Sequence, residues 1–166
     1  MDNRKILEYT LVIVSVVAVL LLAWDFTTRD ARLCRQVLEG LVRGSPRAER
    51  LIDWENFVAL GFDVGVFYRR IPEELQRSKY RRDFIRNFAT GFHYVKGDFK
   101  KFTNWRVLKK KGTKVIVGAD YLLYNKTILF TLSKLGRTKL TAIDWNESNN
   151  EIQPVPTPSL PAKETP

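Results

Sequence analysis

Hydrophobic and polar positions change rhythm three times along this chain. From Tyr9 to Trp24 the sequence is apolar except for Thr10 and Ser15, with Arg4 and Lys5 before it and Asp25 ending it. From Thr28 to Arg43 the apolar residues are spaced for one helical face: Ala31, Leu33, Cys34, Val37, Leu38, Leu41 and Val42. Gly44 stops that helix. Ser45-Pro46 restarts one, with a capping hydroxyl before a proline at the first helical position, predicting a short helix over about 47–60 that ends at Gly61. The segment 62–70 is rich in aromatics.

A longer helix is predicted over 72–94. Pro72-Glu73-Glu74 supplies a rigid, acidic first turn, and Tyr80, Phe84, Phe88 and Phe92 recur every fourth residue on one face. Beyond Gly97 the period changes from helix to strand. Strands are predicted at 104–108, 114–124, 127–135 and 138–145, separated by turn residues at Lys110-Lys111-Gly112, Asn125-Lys126 and Gly136-Arg137. From Asn146 the chain is polar and then proline-rich, a composition that buries little and predicts a disordered tail over 147–166.

Helices followed by a meander predict an α+β domain over 27–146: about three helices packed on a curved, four-stranded antiparallel sheet. The aromatic helix offers that sheet a matching face. Phe84, Phe88, Phe92, Val117, Tyr121, Phe130 and Leu132 are then the expected lining of an enclosed apolar site. The competing reading of the same stripe is ordinary core packing.

The N-terminal run is short for a membrane span, which takes about 17–25 apolar residues, and long for a signal-peptide core of about 7–15. Leu21-Leu22-Ala23 puts a leucine where a cleavage site takes a small residue, and Tyr9 and Trp24 bracket the run as interfacial aromatics do. The expectation is a retained anchor at 9–26 behind a cytoplasmic lead at 1–8, with a cleaved signal and, last, a buried core helix as the alternatives. A single-pass inner-membrane protein with its domain on the extracytoplasmic side follows.

Charge and chemistry narrow the function. The formal net charge is +10, which favours anionic partners. Two basic clusters are candidates for a lipid or partner surface: one around Arg77, Arg81 and Arg82, the other around Lys109, Lys110 and Lys111. No recognition-helix, RNP or zinc pattern accompanies them, so nucleic acid is not expected. One cysteine, Cys34, and one histidine, His93, exclude an internal disulfide and make a zinc site of the usual ligands unexpected. There is no phosphate loop or nucleophile elbow. Asp120 and Asp144 interrupt strand patterns and are the only hint of acid–base chemistry. No cofactor, metal or catalytic residue is expected.

Ile52-Asp53-Trp54-Glu55-Asn56-Phe57, then Pro72-Glu73-Glu74-Leu75-Gln76-Arg77 and the four-residue aromatic spacing, resemble the periplasmic phospholipid-shuttle family that includes the toluene-tolerance auxiliary proteins. The element order resembles the wider nuclear-transport-factor-2-like, cystatin-like cone fold. The likeness covers about residues 45–145. It implies a non-enzymatic binder of an apolar ligand, serving phospholipid transfer or envelope maintenance. By layout the chain also resembles the bitopic scaffold subunits of secretion systems, which implies docking of other envelope proteins instead.

Overall fold

The computed structural model describes the backbone of residues 3–145 and the side chains of 13–18 and 28–145. The tail expected to be disordered, the side chains of the lead, and those of Tyr9 and Trp24 lie outside the described residues.

Helix α1 runs unbroken over Asn3–Val42, joining the apolar run to the amphipathic segment behind it. It ends in two paired backbone bonds, Ser45 N–H to the Gly40 carbonyl (2.8 Å) and Gly44 N–H to the Leu41 carbonyl (3.2 Å). Gly44 takes the left-handed conformation (φ +64°) that this helix stop needs. A 3-10 helix over Pro46–Leu51 follows, capped by Ser45, then the short helix α2 (Val64–Arg69) and the long α3 (Glu74–Tyr94).

The sheet contains β1 (Val58–Ala59), β2 (Phe62–Asp63), β3 (Phe102–Lys111), β4 (Lys114–Tyr121), β5 (Lys126–Ser133) and β6 (Lys139–Trp145). Its order is β2-β1-β6-β5-β4-β3. Every pairing is antiparallel except β1 with β6, which is parallel.

This corrects the expected sheet. It is six-stranded and mixed, not a four-stranded antiparallel meander. The added pair comes from sequence assigned to helix and loop. Ile52, 1% exposed, leaves the 3-10 helix in an extended conformation and bridges Leu140. Leu60 and Gly61 both have positive φ, at +51° and +81°, as a two-residue hairpin turn requires. Gly61, taken from sequence as a helix stop, is therefore a hairpin residue.

The expected transmembrane anchor is also corrected, and with it the description as a single-pass membrane protein. Among the described residues no helix is long and apolar enough to cross a membrane. The sixteen-residue run falls short of the roughly twenty residues a span takes. Its backbone continues through Arg29, Asp30, Arg32 and Arg35 as the leading part of a helix that packs into the domain.

Packing corrects one further expectation. The helix laid on β3, β4 and β5 is the inner half of α1, and α3 packs against α1 and the 3-10 helix. Cys34, Val37, Leu38 and Leu41, spaced i, i+3, i+4 and i+7, are at most 3% exposed. In the same core the sheet presents Val117, Phe130 and Ile143, which face each other across β4, β5 and β6 and are at most 2% exposed. Aliphatic residues at this spacing fill the narrow helix–sheet gap, leaving the bulkier aromatic stripe of α3 to cover its flank. Asp30, buried on α1, accepts from the Lys134 ammonium at 2.9 Å and ties the helix to the end of β5.

Candidate functional site

Strand pairing brings several large side chains to one end of the sheet. Phe102 opens β3 opposite Tyr121, which closes β4; Tyr121 also faces Lys126 at the start of β5; Ile128 faces Trp145 at the end of β6. The last turns of α3 pass over this end and contribute Asn87, Phe88, Gly91 and Phe92, and Val95, the residue that caps the helix, follows them. Leu38 of α1, Leu60 of the β1–β2 hairpin, Tyr124 and Ile143 complete the wall of a cavity of about 640 Å³, open on one side.

The wall is mostly apolar. The Phe102 and Tyr121 rings stack at 4.2 Å, with Phe92 6.4 Å from Phe102 and Tyr124 5.6 Å from Tyr121. Polar groups are few. The Tyr121 hydroxyl accepts from the Asp98 backbone N–H at 3.2 Å, and burial pushes its pKa up. Lys126 is the one charged side chain in the wall, with its ammonium 5.7 Å from the Trp145 ring centre. Gly91 leaves a gap: a Cβ there would meet nothing within 4 Å. An apolar hollow with a few polar groups is what binding sites for small apolar molecules look like, and its volume lies within their range of about 300–1,000 Å³.

Of the expected lining, Phe88, Phe92 and Tyr121 reach this cavity. Phe84, Val117, Phe130 and Leu132 do not. Val117, Phe130 and Leu132 are fully buried core, and Phe84 packs edge-on against Trp54 (5.6 Å) and Phe57 (5.8 Å). The cavity follows the end of the sheet where β3, β4, β5 and β6 begin or close, while α1 lies over β3, β4 and β5. Phe102, Ile128, Ile143 and Trp145 were missed, although the alternation Ile128, Phe130, Leu132 along β5 carried the signal for one of them.

The basic residues fall into different roles. Arg81 is no surface cation: its side chain is 16% exposed and donates to Glu49 Oε1 (2.6 Å), the Tyr68 hydroxyl (2.6 Å) and Glu74 Oε1 (3.0 Å). It clamps α3 to the 3-10 helix and α2, and these acceptors raise its pKa against the lowering effect of burial. Arg77 donates to the Ile71 carbonyl at 2.7 Å and lies over the Tyr68 ring at 5.3 Å. Arg82, Lys109, Lys110 and Lys111 are exposed, the lysines at the end of β3 remote from Phe102.

The carboxylates are engaged. Asp120 accepts from Arg106 (2.8 Å), Asn104 (2.7 Å) and Thr127 (2.8 Å), and chiefly through Arg106 its pKa is lowered to about 2. Asp144 is exposed and accepts from the Trp145 N–H at 2.8 Å. Cys34 is fully buried, and burial, aided by nearby Asp30, pushes its thiol pKa up, away from the thiolate a nucleophile needs. Among the described residues no cluster of three or more His, Cys, Asp or Glu side chains could hold a metal ion.

Comparison with known protein families, curated proteins and solved structures returns no match to this chain.

Proposed function

We propose that this protein binds an apolar ligand without transforming it, and that the ligand is the acyl portion of a phospholipid carried within a cell envelope. The cavity bounded by Phe88, Phe92, Phe102, Tyr121 and Ile128 carries this proposal. Its walls would repay burial of a chain at about 0.8 kcal/mol per methylene. Asp120, which accepts from Arg106, Asn104 and Thr127, is held ionised by its donors and is a poor proton shuttle.

Native mass spectrometry of the full chain, followed by organic extraction, tests the proposal. A co-purifying lipid that departs when Phe88 and Phe92 become polar supports it. A ligand-free protein that also takes up no added fatty acid or lysophospholipid overturns it.

One observation favours a scaffold role instead. Phe62 and Phe67 are stacked at 5.2 Å and are 55% and 45% exposed beside the edge strand β2. Such a pair suits a protein partner. Stable co-purifying proteins, lost on Phe62→Ser and Phe67→Ser but not on Phe88→Ser, support that role.

A further inference from the structure

One side of the cavity wall continues into side chains that folding leaves in water. Val95 at the end of α3 and Leu122, Leu123 and Tyr124 after β4 are 55%, 58%, 47% and 53% exposed, and Tyr94 is 88% exposed. Val95 and Tyr124 are themselves part of the cavity wall. The two segments are held together through the chain between them. Leu122 N–H donates to the Lys101 carbonyl at 3.1 Å, and Asp98 N–H donates to the Tyr121 hydroxyl at 3.2 Å. Lysines border the same edge. Lys96, Lys100 and Lys101 are exposed on the α3–β3 connection, and Lys126 stands in the cavity wall. One carboxylate, Asp98, lies among them, and it is occupied in accepting from the Lys100 N–H at 2.9 Å.

We propose that this rim docks on an anionic lipid surface, lying on it without spanning it. Aliphatic tips flanked by tyrosines and lysines match the headgroup region: the tips enter the apolar boundary, the tyrosines sit at the interface, and the ammonium groups meet anionic headgroups. Val95, Tyr124 and Lys126 join this rim to the cavity wall, so docking brings that wall to the phase that dissolves an apolar ligand. An acidic protein would answer the lysines but not the exposed Leu122, Leu123 and Val95. The proposal rests on the ligand-binding function above, and it relocates the lipid-facing charge from the far end of β3 to the α3–β3 connection.

The test uses the full chain carrying Leu123→Cys with a polarity-sensitive thiol dye, the buried Cys34 being protected from labelling. A Lys111→Cys dye at the opposite end of β3 is the comparison, so that any binding through α1 is common to both. With phosphatidylglycerol–phosphatidylcholine vesicles the Leu123 dye shifts to the blue, and the Lys111 dye does not. High salt reverses the shift. Replacing Lys100 and Lys101 by Gln weakens binding read at Leu123 by roughly 30-fold, from two lost lysine–headgroup attractions. A Leu123 dye that ignores the vesicles, responds equally to neutral ones, or responds only to polyglutamate overturns the proposal, the last in favour of an acidic protein. Uptake of a fluorescent fatty acid without vesicles keeps the two ideas apart. Uptake without docking removes the docking surface alone, and docking without uptake removes the ligand-binding function on which it rests.

Discussion

Gly91→Leu separates ligand binding from folding more cleanly than any deletion of an aromatic. Gly91 lies inside α3, in the cavity wall, with open space where its Cβ would be. Folding should tolerate the change. Glycine costs a helix interior about 0.5–1 kcal/mol relative to alanine, and leucine is nearly as good a helix former. Gly91 is three residues from the last residue of α3, where fraying lowers the benefit, so a gain of about 0.5 kcal/mol is expected. In a chain of this size that raises the melting temperature by about 1–2 °C. Binding should suffer. A leucine side chain pointing into the hollow displaces about three methylenes of ligand, at about 0.8 kcal/mol each, or roughly 50-fold in affinity. Thermal denaturation and titration with a fluorescent fatty acid give both numbers on one preparation. Gly91→Ala should show the stability gain with little loss of affinity. A Gly91→Leu protein that is as stable as the parent and binds the fatty acid equally well would refute the assignment of the cavity as the ligand site.

Three further outcomes follow from the packing and charge. Phe130→Ala, fully buried between Val117 and Ile143, should cost about 3–5 kcal/mol in urea denaturation, while Phe88→Ala, already facing the cavity, should cost less than about 3 kcal/mol and reduce bound lipid; equal costs would count against a cavity at Phe88. Arg81→Ala should cost about 2–3 kcal/mol, because Glu49 and Tyr68 lose a shared donor, and Arg81→Lys should recover little, since an ammonium cannot span the same three acceptors. Asp120, lowered to about 2 from its ordinary 3.8, stabilises the fold above the ordinary value and loses that contribution as pH falls through the folded one. The stability difference between the parent and Asp120→Asn should be full above about pH 4 and vanish toward pH 2, a modest effect because the Asp120–Arg106 pair is partly solvated; a pH-independent difference would contradict it.

Local signals held where one residue's neighbours along the chain decide its state. The Pro-Glu-Glu start and four-residue spacing placed α3, and alternation placed Val115, Val117, Ala119 and Tyr121 on the buried face of β4. They failed where a distant strand decides. Val58–Ala59 has no strand signal of its own and is extended because β6 lies open for parallel pairing, with Leu60 N–H donating to the Ile143 carbonyl at 2.7 Å. Arg81 was misplaced in the same way: its nearby sequence resembles that of the exposed Arg82, but only Arg81 points at Glu49, thirty-two residues away.

From sequence alone come the α+β composition, the long aromatic helix, the β4 face and the excess of positive charge, because each depends on period or count. Tertiary structure decided which helix covers the sheet and where a hollow is left. The aromatic stripe of α3 is compatible with core or cavity at every position. Phe84 packs on the core because Trp54 and Phe57 reach it, and Phe88 and Phe92 became cavity wall because they lie over the end of the sheet where Phe102, Tyr121 and Trp145 converge. A void is set by what neighbouring elements fail to fill, and that is a property of their packing rather than of any one segment.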